Sequence, residues 1–191
     1  MSKKTLVYVI YPGVSLLELV GNRTVLGAIM ERKAGYRAVV VGAQMEATAT
    51  DTPLSIIPQT TFADVPQPDG LVVIGGGSDT LAALDDAELL AYIRRAGEQA
   101  AWVASTSTGS LLLAAAGLLT GRAATTHWAY ADRLEAYGAR YQHQGWVTDG
   151  KFVYGARREK LVTPHHIPFG SSLSASLACW FSRRLSAVHI C

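Results

Sequence analysis

The chain has 191 residues, 49% of them hydrophobic and 17% charged, with a formal net charge of +2. That composition suits one domain, residues 1–191, with a sizeable core, and the near-neutral charge argues against nucleic acid or an anionic membrane as partner. No stretch supplies the ~18 uncharged apolar residues of a spanning helix, and two cysteines, Cys179 and Cys191, make neither a disulfide framework nor a zinc site, so a cytoplasmic protein without metal or cofactor is expected.

Residues 5–10 form a continuous β-branched and aromatic run, the pattern of a strand buried on both faces. Pro12 and Gly13 turn the chain, and Ser15 can cap a helix reaching Lys33. Leu16, Leu19, Val20, Leu26, Ile29 and Met30 mark its inner face, and Gly21 weakens its middle. Residues 36–41 read as a second strand. Residues 42–69 are turn-rich and punctuated by proline, with a short strand at 54–57. Residues 71–74 are a third buried strand ending in Gly75-Gly76-Gly77. Asp79 opens a helix to about Arg95, with Leu81, Leu84, Leu89, Leu90 and Ile93 inward, and residues 101–104 are a fourth strand.

The stretch after that fourth strand organises the rest. Ser105, Thr106, Ser107, Thr108, Gly109 and Ser110 are small and mostly hydroxylated, and an apolar helix follows them directly. A strand passing straight into a helix exposes one side chain beside unpaired backbone N–H groups, a geometry that enzymes use for nucleophiles. The same pattern also fits an ordinary loop with a serine or threonine cap. Further on, residues 123–128 predict a short strand leading into a helix over 128–137. Residues 146–154 are two extended runs joined at Asp149-Gly150, the preferred two-residue hairpin turn. Leu173, Leu177, Phe181, Leu185 and Val188 fit one face of a last helix.

Strands alternating with helices imply right-handed crossovers, a mainly parallel sheet and helices on both faces. Ligands of such sheets bind outside the carboxyl ends of the strands. Those ends are residues 11–18, 75–78 and 105–109, so three unusual stretches converge on one edge. Glu18 stands in an apolar segment there; burial would raise its pKa and let it hold a proton, whereas at the surface it would merely favour the helix dipole. The three glycines allow close approach of backbone N–H groups to a ligand, or make a plain turn. They lack the spacing of a dinucleotide loop. His127 is either a catalytic partner or a structural histidine beside Trp128, and His165-His166 lies in an unpatterned stretch.

Charge is unevenly spread. Residues 155–191 hold Arg157, Arg158, Lys160, Arg183 and Arg184 against one acid, Glu159, while acids outnumber bases before them. That tail differs in composition from the body, as a replaced terminus or a changed reading frame would produce.

These motifs resemble the ThiJ/PfpI superfamily over residues 5–154. Tyr11-Pro-Gly-Val-Ser-Leu-Leu-Glu-Leu-Val-Gly21 is similar to its Pro-Gly and carboxylate-Leu-x-Gly segment, and Val73-Ile-Gly-Gly-Gly77 to its strand with following glycines. Ser107-Thr-Gly-Ser110 and the helix after it look like its Cys-Thr-Gly-Ser elbow, and Ala124-Thr-Thr-His-Trp128 matches as well. The resemblance implies a flavodoxin-like α/β sandwich, is nearest to the isocyanide hydratases, and extends to the ligand-sensing domains of some transcription regulators. It implies a nucleophile at position 107, Glu18 as supporting carboxyl, the N–H groups of Gly76 and Thr108 as oxyanion donors, a small-molecule substrate and a homodimer. Two departures stand out. Ser107 occupies the place of a cysteine, and Tyr154 runs into the basic tail instead of the family's Gly-x-Ser-Ala-Gly turn, of which Gly170-Ser-Ser-Leu-Ser-Ala is a displaced candidate. A hydratase weakened by Ser107, a non-catalytic sensor domain and a glyoxalase or deglycase are the readings open at this point. No Ser-His-acid set for a peptidase can be assembled around His127.

Overall fold

The computed structural model describes residues 3–156, so the expected helix over the tail, the displaced turn and His165-His166 lie outside the described residues. Strand β1 (Lys4–Val9) pairs in parallel with a strand on each side. Its residues Leu6, Val7, Tyr8 and Val9 are fully buried, which is why no polar alternation is visible in its sequence. The next helix comes in three parts, α1 (Leu16–Asn22), a π turn (Arg23–Gly27) and α2 (Ala28–Lys33). One uninterrupted α-helix was expected here. Instead the Arg23 guanidinium folds across Gly27, where a side chain would collide with it, to reach the Glu31 carboxylate at 3.0 Å and the Ala38 carbonyl at 3.2 Å. Leu19, Leu26 and Met30 face the core as expected, but Val20 points outward.

Strand β2 (Tyr36–Gly42) follows, and then a small antiparallel pair, β3 (Thr48–Ala49) with β4 (Ser55–Ile56), apart from the main sheet. The strand expected over 54–57 is this shorter segment. Strand β5 (Thr60–Thr61) forms the parallel edge beside β2, and β6 (Gly70–Val73) lies on the other side of β1. The helix expected from Asp79 to Arg95 is broken. A 3₁₀ turn (Gly77–Asp79) and α3 (Thr80–Ala83) end before Asp86, whose side chain accepts the Leu89 N–H at 3.0 Å and starts α4 (Ala87–Gln99) afresh. From α4, Leu89, Tyr92, Ile93 and Ala96 enter the core, and the Tyr92 ring stacks on Phe62 at 4.3 Å.

Strand β7 (Trp102–Thr106) runs two residues further into the hydroxyl stretch than the apolar pattern suggested, and α5 (Gly109–Ala115) begins only three residues later. After α5 come β8 (Ala123–Ala124), a 3₁₀ turn (Trp128–Tyr130), α6 (Ala131–Ala136) and β9 (Arg140–Tyr141), which pairs with β8. The hairpin of β10 (Trp146–Asp149) and β11 (Phe152–Gly155) is present, one residue out of the expected register. Asp149 pairs with Phe152, so the turn residues are Gly150 and Lys151, and only Gly150 takes a positive φ, 61°. A turn with positive φ at its first central residue alone asks for glycine there.

The main sheet has the order β10-β11-β7-β6-β1-β2-β5, parallel throughout except for β10 against β11. Helix α5 packs against α3, α4, β6 and β7, while α2 packs on β2. This is the mainly parallel, helix-covered α/β architecture of flavodoxin-like proteins, and it carries the ends of β1, β6 and β7 to one edge. Among the described residues, no helix is long and apolar enough to cross a membrane.

Candidate functional site

Ser107 is the one non-glycine residue with a positive φ, 47°, among the described residues. For an L-residue this left-handed conformation costs roughly 1–2 kcal/mol, so it persists only where the surroundings hold it. Here they do. The Ser107 N–H donates to the Gly155 carbonyl on β11 at 2.7 Å, and its own carbonyl accepts the Ser110 hydroxyl at 3.1 Å and the Thr126 hydroxyl at 3.2 Å. Strand and helix can approach this closely because Gly109 has no side chain to strike the Val73 carbonyl. Gly75 has the same use, since a Cβ there would stand 2.8 Å from the Thr106 carbonyl oxygen and 2.9 Å from the Thr108 nitrogen. The Ser107 side chain itself is only partly buried, as an attacking group must be.

Glu18 lies in the first turn of α1 and is half-buried. Its Oε2 accepts the Thr106 hydroxyl, so the carboxylate is brought to the residue next to Ser107. Burial pushes the Glu18 pKa above the ordinary carboxylate range, and the nearby Asp51 adds to the rise. The hydrogen bonds from Thr106 and the Gly75 backbone oppose it. Asp51 comes from the β3–β4 connection and accepts the Leu16 N–H at 2.9 Å, which secures the start of α1.

Gly75, Gly76 and Gly77 do line the elbow, as the sheet-edge argument required, but their N–H groups are engaged. Gly75 donates to the Thr106 hydroxyl oxygen at 3.1 Å, and Gly77 to the Thr108 hydroxyl oxygen at 3.1 Å. Gly76 donates to the hydroxyl oxygens of Thr80 at 2.8 Å and Thr108 at 3.2 Å. The Gly76 N–H is therefore not pointed freely at the cleft, and it would serve an oxyanion only by leaving these acceptors. Gly13 closes the same cluster: with φ 85° it sets its carbonyl against Gly76, where a side chain would collide, and the Ser15 N–H donates to the Gly75 carbonyl at 2.8 Å.

His127 is partly buried, its Nδ1 accepting the Ala129 N–H at 3.3 Å and its ring against Trp128 and Tyr130 at 5.4 and 5.7 Å. The neighbouring Thr126 hydroxyl bonds the elbow at the Ser107 carbonyl. Thr126, Thr106, Thr80 and Tyr11 were not singled out in the sequence. Their signal is a threonine or tyrosine beside each motif, too common to stand out without the geometry.

A mostly parallel sheet with a strained residue between strand and helix defines a class, the flavodoxin-like α/β proteins that carry a nucleophile elbow. The chain belongs to the DJ-1/PfpI family, whose model matches residues 3–163. It is 36% identical over 148 residues to the isonitrile hydratase of Pseudomonas putida, a match covering 78% of this chain and 63% of that protein. The crystal structure of a ThiJ/PfpI family protein from Pseudomonas syringae superposes with a TM-score of 0.75 at 34% identity, over 82% of this chain and 64% of that one. The chain thus spans less than two thirds of the length of either relative. Drosophila melanogaster DJ-1beta, at 22% identity and a TM-score of 0.70, covers 82% of this chain and 83% of its own, and shares the fold.

Proposed function

We propose that this cleft is an isocyanide-hydratase-type site, with position 107 in the nucleophile's place and Glu18 as the proton-bearing carboxyl. The observation that carries the reading is the strained Ser107 directly beside Thr106, whose hydroxyl holds the Glu18 carboxylate. Similarity to the Pseudomonas putida isonitrile hydratase supports the choice of reaction. In that reaction a nucleophile adds to the terminal carbon of R–N≡C, and a proton from the carboxyl completes an imidate or thioimidate, R–N=CH–X. Water then adds to its carbon, the bond to the nucleophile breaks, and R–NH–CHO leaves with the nucleophile reprotonated.

Ser107 weakens the first step. A serine hydroxyl ionises far less readily than a thiol, and a carboxyl is a poor base for it. The chain as it stands therefore turns over slowly or not at all, and Ser107→Cys should raise formamide production from a simple alkyl isocyanide well above wild type. A second substitution, Glu18→Ala, should remove that gain. A folded Ser107→Cys chain with no turnover overturns the reading. It would favour a sensor domain that binds a small molecule at the same cleft, for which the serine and the engaged glycine amides also speak. The family resemblance adds a homodimer, and Leu17 and Val20, exposed on α1, are apolar surface such an interface would cover.

A further inference from the structure

The hydroxyl protons around the elbow fix the direction of a buried hydrogen-bond chain. The Tyr11 hydroxyl lies 2.9 Å from the Ile74 carbonyl, which can only accept, so Tyr11 spends its one proton there. The 3.0 Å contact between Tyr11 and Thr80 then requires Thr80 to donate, and the 2.7 Å contact between Thr80 and Thr108 requires Thr108 to donate. The Thr108 oxygen is left with its lone pairs, which receive the Gly77 N–H and share the Gly76 N–H with Thr80. Tyr11, Thr80 and Thr108 are all buried, where an unmatched hydroxyl would be costly, and every proton in this chain has an acceptor. A second, shorter chain runs on the other side of Ser107. The Gly75 N–H donates to Thr106, and the Thr106 hydroxyl donates to Glu18 Oε2.

We infer that Thr106 and Thr108, which bracket Ser107, are positioning residues that latch the three glycine amides to the elbow, and that Thr106 confines any proton of Glu18 to Oε1. The inference takes the Ser107–Glu18 cleft as the site and specifies how it is held in register. The two latches have different ends. The Thr108 latch ends on the Ile74 carbonyl at the tip of the sheet, and the Thr106 latch ends on the carboxylate. Each hydroxyl has one job that a methyl group of the same size cannot do, and a serine can. Around Glu18 the other ionisable groups are Asp51 and Tyr11, which touch neither threonine latch except through the Tyr11–Thr80 bond.

Amide hydrogen exchange of residues 75–77, followed by NMR in the full chain, tests the latches without any substrate. In wild type all three amides should be protected, including that of Gly77, whose residue is otherwise exposed. Thr108→Val should speed exchange at Gly77 by about tenfold, speed Gly76 less because Thr80 still accepts its N–H at 2.8 Å, and spare Gly75. Thr106→Val should speed Gly75 and spare Gly77, and Thr108→Ser should restore protection. Thr106→Val should also raise the midpoint of the Glu18 carboxyl titration, since it removes a bond to the charged form, while Thr108→Val leaves that midpoint in place. Equal acceleration of all three amides in both valine variants, or none in either, would overturn the assignment. If neither variant folds, an unprotected Gly77 amide in wild type overturns it and a protected one, on an otherwise exposed residue, upholds it. None of these outcomes depends on isocyanide turnover, so failure of the hydratase reading would be seen separately.

Discussion

Ser107 and Glu18 are each held in a state that their chemistry does not favour alone. For Ser107 the strained φ sets a clear order of substitutions. Ser107→Gly should leave stability unchanged or raise it, because glycine enters the left-handed region freely and only loses chain entropy. Ser107→Val should cost about 2 kcal/mol, because a β-branched side chain is least tolerant of that conformation. Urea denaturation of the two variants would reveal the order, and equal stabilities would remove strain from the account. For Glu18 the consequence is a pH dependence. The folded pKa lies above the ordinary value that holds in the unfolded chain, so the folded state binds the proton more tightly. The stability this contributes is fully present below the ordinary carboxyl pKa and is lost as pH rises through the folded value. Glu18→Gln carries no charge to bury, so its stability relative to wild type should increase with pH across that window. Parallel curves in urea titrations from about pH 4 to 8 would contradict the burial assigned to Glu18.

At the scale of elements, the readable features were those set by long apolar runs, and the missed ones were set by single polar atoms. Strands β1, β2, β6 and β7 were legible because burial on both faces removes any ambiguity of period. The break before α4 was not, because Leu81, Leu84, Leu89 and Ile93 continue a helical period across it while Asp86 caps a new helix. Asp86→Ala should therefore destabilise the protein by about 1 kcal/mol, a typical cap loss, read as a shift in the urea midpoint. A change below a few tenths would mean that α3 and α4 do not need the cap. The π turn at Arg23–Gly27 was likewise invisible, since its cause is a guanidinium crossing a glycine and bonding a carbonyl on β2. At Gly70 the sequence showed only a residue before a strand. The structure shows Trp102 ring atoms 2.6 Å from where a Cβ would stand, so Gly70→Ala should cost roughly 1–3 kcal/mol by displacing the indole.

For the whole molecule, the parallel sheet brings Glu18, the three glycines and Ser107 together from widely separated parts of the chain, and that convergence was deducible from the alternation of strands and helices, which makes the strands parallel. What could not be deduced was which atoms face the cleft. Thr126 reaches the elbow beside a histidine that drew attention first, and the Gly76 N–H is taken up by hydroxyls the motif did not mark as functional. The claim at the centre of this account is that position 107 is the covalent seat of an isocyanide-converting site. It is tested most directly by acid-quenching the Ser107→Cys chain during reaction with an alkyl isocyanide and locating the adduct by peptide mass mapping. The account predicts an added mass equal to one isocyanide on residue 107, diminished by Glu18→Ala. An unmodified residue 107, with label only on Cys179 or Cys191, would contradict it.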